Sequence, residues 1–235
     1  LNFAENMLKN RSDDEALIFR CEDRISKTLS FAELYNQVSK TAQHLKELGV
    51  TKGDRVAGFL PNFAGSIVAM LATASLGAIW SSCSPDFGEQ GVIDRFGQIE
   101  PKVLFCVDGY FYNGKSHICL SKIKSFTARL PTLKQVVIFD YASSDNNSIN
   151  NSISYQEILD NYEPNEIDFE RVDFDHPLYI MYSSGTTGVP KCIVHGHGGT
   201  LVQHLKEHQL QTNISSGDRV FYFTTCSWMM WNWLV

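Results

Sequence analysis

The sequence predicts an α/β protein in which a mostly parallel sheet lies between helices on both faces. Short apolar runs of strand length alternate with longer segments of helical periodicity through the first 140 residues. Two parallel strands require a crossover connection of this kind, because the C-terminal end of the first strand and the N-terminal end of the second lie at opposite ends of the strands. In addition, Ser30 and Ser154 each precede a glutamate by three residues, a spacing typical of a capping box at the start of a helix.

The first predicted helix begins after Ser30 and ends at Gly49. Its apolar residues recur at intervals of three and four and share one face: Leu34, Val38, Ala42, Leu45 and Leu48. The next predicted elements continue the alternation: a strand at 55–60, a helix at 63–76, a strand at 78–82, a helix at 89–99, a strand at 102–107, a helix at about 116–129 and a strand at 135–140.

The remaining part of the chain is less regular. Residues 142–154 are mainly Ser, Asn and Asp, which predicts an exposed loop. A short helix should follow Ser154, and residues 163–177 are acidic without periodicity. The apolar run at 178–182 then predicts a buried strand.

Composition and charge exclude several classes of protein. The chain has 235 residues, 43% of them hydrophobic, and a net charge of −6, so we expect no nucleic-acid partner. Small polar residues interrupt the apolar stretch 63–80, which therefore predicts a buried helix and strand and not a membrane span. The six cysteines form no Cys-x-x-Cys pair. This favours a reduced, cytosolic setting over a disulfide framework or a zinc site.

The segment 182–191 carries the strongest chemical signal. It places two glycines, four Ser and Thr hydroxyls and one lysine directly after a predicted strand. Backbone N–H groups, hydroxyls and a cation in such a loop can bind phosphate oxygens. It is not a Walker A loop, which ends in Gly-Lys-Ser/Thr, because Val189 and Pro190 separate Gly188 from Lys191. An ordinary turn is the alternative, but the preceding strand and the following lysine favour phosphate binding.

Residues 183–191, Ser-Ser-Gly-Thr-Thr-Gly-Val-Pro-Lys, resemble at every position the phosphate loop of the adenylate-forming acyl-CoA synthetases. Other stretches that agree with this family are 52–56, 71–79, 94–95, 193–199 and 217–219. The resemblance covers essentially the whole chain. It implies that residues 1–235 are the N-terminal portion of the family's large domain, with about 1–30 as an N-terminal extension. The rest of that domain and its C-terminal lid would lie outside these residues.

The resemblance also implies the cofactors ATP, Mg²⁺ and CoA, and a role for individual residues. Those implied to bind the ATP phosphates are Ser183, Ser184, Gly185, Thr186, Thr187, Gly188 and Lys191. Among them, Thr187 and Lys191 are the implied catalytic residues. Arg95 stands where the family has an arginine that contacts CoA phosphates, although a solvated arginine on a helix face is the alternative. No metal ligand is assigned, and the parts that bind adenine and promote adenylation are expected outside this chain.

Further stretches, at 2–6, 78–86, 193–199 and 223–232, resemble the branch of the family whose substrate is acetoacetate. In the last of them Ser227 stands where the family usually has glycine, which puts the local backbone in question because only glycine freely adopts positive φ. The expected reaction joins acetoacetate to CoA through an adenylate. A ligase for acetate or propionate and a truncated, non-catalytic family fragment are the alternatives.

Two more groups of side chains require an interpretation. His195 and His197 are two residues apart and would lie on the same side of a strand. No third metal ligand is evident, so we expect them to support the backbone behind the loop. Trp228, Trp231 and Trp233 resemble a segment near the family's acyl pocket, but such an aromatic cluster is more often simple core.

Overall fold

The computed structural model describes residues 1–142, 149–183 and 188–235. The strands in these ranges are β1 (Glu15–Cys21), β2 (Ile25–Ser30), β3 (Arg55–Phe59), β4 (Ile79–Cys83), β5 (Val103–Val107), β6 (Gly109–Tyr112), β7 (Lys115–Ile118), β8 (Gln135–Phe139), β9 (Ser152–Ser154), β10 (Pro177–Tyr182) and β11 (Cys192–Gly196). The helices are α1 (Phe3–Met7), α2 (Phe31–Glu47), α3 (Ala64–Ser75), α4 (Glu89–Ile99), α5 (Leu120–Thr127), α6 (Tyr155–Asn161), α7 (His197–Leu205), which continues into a π-helical turn (Lys206–Gln211), and α8 (Met229–Leu234).

A seven-stranded sheet organises the fold, in the order β11-β10-β4-β3-β5-β8-β9. Its neighbouring strands are parallel except for β10 and β11, which form an antiparallel pair at one edge. The predicted fold class is therefore confirmed. Two small antiparallel sheets, β1-β2 and β6-β7, accompany the main sheet.

The two faces of the main sheet bury two separate hydrophobic cores. Side chains of β3 alternate between them, as successive residues of a strand must: Val56 packs in the core that contains α2 and α3, whereas Ala57 packs in the core that contains α4 and α5. Trp80 of β4 is fully buried in the first core and Phe96 of α4 in the second. Helices therefore cover both faces, as predicted.

Both predicted capping boxes are present. Glu33 N donates to Ser30 Oγ at 3.1 Å, and Ser30 N donates to Glu33 Oε2 at 2.8 Å, so the start of α2 leaves neither donor unpaired. At the start of α6, Ser154 N donates to Glu157 Oε1 at 3.2 Å. These local bonds explain why two helix starts could be recognised from residue spacing alone.

The helix predicted at about 116–129 was wrong at its start, whereas the N-terminal extension stays a prediction. The helix expected at about 116–129 begins only at Leu120, because residues 109–118 form the β6-β7 hairpin. The turn residues of this hairpin, Asn113 and Gly114, have φ angles of 52° and 72°. These angles suit the Asn-Gly turns that join the strands of short hairpins. Residues expected to be an N-terminal extension include the β1-β2 hairpin. Within the described ranges, no helix has both the length and the apolar character needed to cross a bilayer.

Candidate functional site

The glycine-rich segment connects β10 to β11 at the edge of the main sheet. Tyr182 pairs with Cys192 in the antiparallel register, so the nine residues from Ser183 to Lys191 form the connection of a hairpin. Of the predicted site residues, Ser184, Gly185, Thr186 and Thr187 lie outside the described ranges, so their roles stay predictions.

The foot of this hairpin is closed by Ser183 and Lys191. Ser183 N donates to the Lys191 carbonyl oxygen, and Lys191 N donates to Ser183 Oγ, both at 3.0 Å. The Ser183 hydroxyl thus accepts one bond inside the hairpin, and no acceptor within the described ranges takes its own proton. The two outermost predicted phosphate-binding residues are therefore adjacent across the foot of the loop.

The returning arm of the hairpin has a special backbone. Gly188 has a φ of 142°, which residues with a Cβ rarely adopt, and a Cβ there would meet nothing within 4 Å. The glycine is therefore required by its dihedral angle and not by crowding. Pro190 is buried, whereas Val189 is exposed.

Lys191 is exposed at the end of this arm. Among the described residues its ammonium group forms no ion pair with a carboxylate. A lysine charge without a local carboxylate partner is available to an incoming anion.

The structure brings Arg95 to the foot of the same hairpin. Its guanidinium carbon lies 4.4 Å from the Phe87 ring centroid and 5.7 Å from that of Tyr182, the last residue of β10. Arg95 Nη1 also donates to the Gly91 carbonyl oxygen at 2.8 Å. Arg95 is half-buried against aromatic rings. Its contact with CoA stays a prediction.

Ser81 anchors the outgoing strand, and the sequence did not point to it. This buried hydroxyl lies 2.9 Å from the Ile180 carbonyl oxygen and 3.0 Å from the Tyr182 hydroxyl. Burial raises the pKa of Tyr182, and the Ser81 hydrogen bond opposes that change. Because Ser81 is about 100 residues away in sequence, no local spacing could have indicated the pair.

The two histidines do not share one side of a strand, so that prediction was wrong. Strand β11 ends at Gly196, and His197 is the first residue of α7. The fully buried His197 accepts a hydrogen bond from Phe3 N at Nδ1, over 3.1 Å. Burial lowers its pKa to about 4, with a smaller contribution from His176. His197 is thus a neutral residue that ties the N-terminal segment to the helix after the loop. The described residues contain no group of three side chains that could hold a metal ion.

The three side chains of the tryptophan-rich segment lie in different environments. Trp231 is fully buried and donates from Nε1 to Asn62 Oδ1 at 2.9 Å, whereas Trp228 is 66% exposed. Trp233 lines a cavity of about 370 Å³ between α7 and α8. The other lining residues are His195, Gly196, Gly199, Thr200, Gln203, His204, Met229 and Met230. The expectation of simple core is therefore confirmed only for Trp231, and Ser227 does not have positive φ.

The chain is similar to known proteins over its whole length. A family model described as "AMP-binding enzyme" matches residues 3–235. The chain is 52% identical to the acetoacetyl-coenzyme A synthetase of Rhizobium meliloti (strain 1021) and 49% identical to the acetoacetyl-CoA synthetase of Gallus gallus. These matches cover 100% of the chain but only 36% and 37% of the two relatives. The solved structure of acetoacetyl-CoA synthetase from Streptomyces lividans superposes with a TM-score of 0.94 at 43% identity, over 100% of this chain and 36% of that one.

Proposed function

We propose that this chain, which belongs to the AMP-binding enzyme family, supplies the phosphate-binding part of an ATP-dependent ligase that joins acetoacetate to CoA. One observation carries the proposal: a glycine-containing hairpin closed by Ser183 and Lys191, with the Lys191 ammonium unpaired among the described residues. The names of the relatives support acetoacetate as the acid over acetate or propionate. The chain spans little more than a third of their length, so the activity is proposed for the whole protein.

The proposed reaction has two balanced steps. A carboxylate oxygen of acetoacetate attacks the α-phosphorus of ATP, and the bond from that phosphorus to the bridging oxygen breaks to release pyrophosphate. The CoA sulfur then attacks the acyl carbon of the adenylate, and AMP leaves while the thiol proton passes to solvent. The first step gathers negative oxygens together, and preorganised donors and a cation stabilise that arrangement.

Within this reaction the hairpin would hold the β- and γ-phosphates. Lys191 would contribute its charge, and the backbone and hydroxyl donors of residues 183–188 would contribute hydrogen bonds. We keep Thr187 with Lys191 as the proposed catalytic pair. Arg95 is proposed to contact the CoA phosphates, since Nη1 alone is used in its hydrogen bond to Gly91 and the other N–H groups can still donate.

Mg²⁺ is proposed only as the ion that accompanies ATP. Magnesium usually binds through one or two carboxylates together with substrate phosphates, and the described residues offer no cluster of metal-binding side chains. The described part of the chain therefore does not fit a magnesium cage of its own, and we assign no step to the ion.

The cavity between α7 and α8 is proposed to receive the acyl group. Its volume of about 370 Å³ is within the range of small-molecule sites. His195 in its lining lies on β11, four residues after Lys191, which directly precedes that strand; this is a separation of about 13 Å in extended chain. Burial lowers the pKa of His204 to about 4, so this part of the lining is uncharged at neutral pH.

The free thiols of all six cysteines support a reducing, cytoplasmic location.

A chimera tests the proposed function. This chain replaces the matching 36% of the Rhizobium meliloti relative, and pyrophosphate release is measured with ATP, Mg²⁺, CoA and either acetoacetate, acetate or propionate. We expect acetoacetate to react fastest. Lys191→Ala should lower kcat/KM by about 100- to 1000-fold, whereas Lys115→Ala, in the exposed β6-β7 hairpin, should leave it unchanged. Faster turnover of acetate, or full activity in Lys191→Ala, would refute the assignment.

A further inference from the structure

We propose that Gln98 is a positioning residue for the phosphate-binding hairpin, because its side-chain amide bonds to the backbone carbonyl of Pro190, before Lys191, and to the thiol of Cys192, after it. The proposal rests on the function proposed above, since Gln98 would act through Lys191. Gln98 lies on α4, and 92 residues separate it from the returning arm of the hairpin.

All the polar atoms of the Gln98 side chain are used in this arrangement. Nε2 donates to the Pro190 carbonyl oxygen at 2.9 Å and to the Asp94 carbonyl oxygen of its own helix at 2.5 Å. Oε1 accepts from Cys192 Sγ at 3.7 Å. One amide therefore contacts the residue before Lys191 and the residue after it, and the bond to Asp94 fixes the orientation of that amide.

Helix α4 contacts both arms of the hairpin. Arg95, three residues before Gln98, lies over the ring of Tyr182 on the outgoing arm, and Gln98 bonds to the returning arm. The two bonds between Ser183 and Lys191 close the foot between these contacts. The hairpin is thus fixed at its foot from outside as well as from within.

This arrangement matters because lysine is long and flexible. Phosphate binding orders the lysine side chain and so loses its conformational entropy. More entropy is lost if the backbone that carries the side chain is also mobile. A backbone already bonded at Pro190, with a side-chain contact at Cys192, lowers that second entropic cost. Loss of Gln98 should therefore weaken binding of the phosphates with little change in the chemistry after binding.

The experiment compares Gln98→Met with Gln90→Met in the chimera. Methionine keeps the length and helix propensity of glutamine but lacks the amide. Gln90 is on the same helix, is exposed and bonds to Asp94 and Arg129, not to the hairpin. We expect Gln98→Met to raise KM for ATP by about three- to tenfold, the size of a lost hydrogen bond, with kcat nearly unchanged. Gln90→Met should have no effect on KM.

Two further measurements separate this role from a general loss of stability and from failure of the proposed function. In the Lys191→Ala background, Gln98→Met should have no further effect on KM. In the 235-residue chain without nucleotide, Gln98→Met should speed hydrogen exchange at the Lys191 amide, and Gln90→Met should not. Equal effects of the two methionine variants, or independent effects of Gln98→Met and Lys191→Ala, would overturn the role of Gln98. An unchanged kcat/KM in Lys191→Ala would instead overturn the proposed function of the loop, while the exchange measurement would still report on the Gln98 contact.

Discussion

Replacing His197 with glutamine should make the protein markedly less sensitive to acid. His197 is fully buried, and Nδ1 accepts the Phe3 amide proton, while Nε2 has no hydrogen-bond partner among the residues that the structure describes. Burial lowers its pKa from 6.5 to about 4. The unfolded chain therefore binds a proton at this residue between pH 6.5 and 4 that the folded chain does not bind, and stability falls as the pH falls through that window.

The magnitude follows from the two pKa values. When the pH is lowered from 7 to 4.5, the titration of His197 should lower the free energy of unfolding by about 2 kcal/mol. Glutamine can accept the Phe3 amide proton through Oε1 but does not titrate. The acid-induced loss of stability should thus be smaller in His197→Gln by about 2 kcal/mol. Carboxylates and His204 titrate equally in both proteins, so their contribution cancels in the difference.

Urea unfolding at pH 7, 5.5 and 4.5, followed by tryptophan fluorescence, measures this difference. His117→Gln is the control, since His117 lies in the β6-β7 hairpin and stacks on Tyr110, away from the N-terminal segment. An identical loss of stability in His197→Gln and the parent chain over this range would refute the assignment of a neutral, buried imidazole.

Two further substitutions test the packing around the site. Trp231→Ala should lower the free energy of unfolding by about 3–5 kcal/mol because it empties a fully buried volume. Trp228→Ala, at a residue 66% exposed, should change that free energy by less than about 0.5 kcal/mol. Similar losses for the two variants in a urea titration would contradict the division of this segment into buried and exposed tryptophans. Ser81→Ala should cost about 1–3 kcal/mol, since it leaves the hydroxyl of the half-buried Tyr182 without the partner seen at 3.0 Å. Thermal unfolding with Ser116→Ala as an exposed control would check this, and equal melting temperatures would argue against the anchor.

Much of the fold could be predicted where the determining interactions are local. The capping boxes at Ser30 and Ser154 join residues three apart, so their spacing is visible in the sequence. The bounds of α4 were predicted correctly at both ends. The β6-β7 hairpin was missed although Asn113-Gly114 is a recognised turn signal, because most of its second strand, from about residue 116, was assigned to the start of a helix.

The candidate site was only partly predictable. The composition of residues 182–191 and their resemblance to a phosphate loop could be recognised in the sequence. The closure of the loop by Ser183 and Lys191, and its contacts with α4, could not. The position of the Arg95 guanidinium over Phe87 and Tyr182 could not be predicted from the sequence either.

The sequence by itself determined the family, the alternation of strands and helices, and the segment that carries the chemistry. Each of these depends on residues that are close together in the chain, where spacing dictates which backbone and side-chain groups can meet. Only the tertiary structure decided that His197 holds Phe3, that Ser81 anchors Tyr182 and that Gln98 contacts both neighbours of Lys191. These pairs are separated by about 90 to 190 residues, and the packing of helices on a sheet, not local spacing, brings such groups within hydrogen-bond distance.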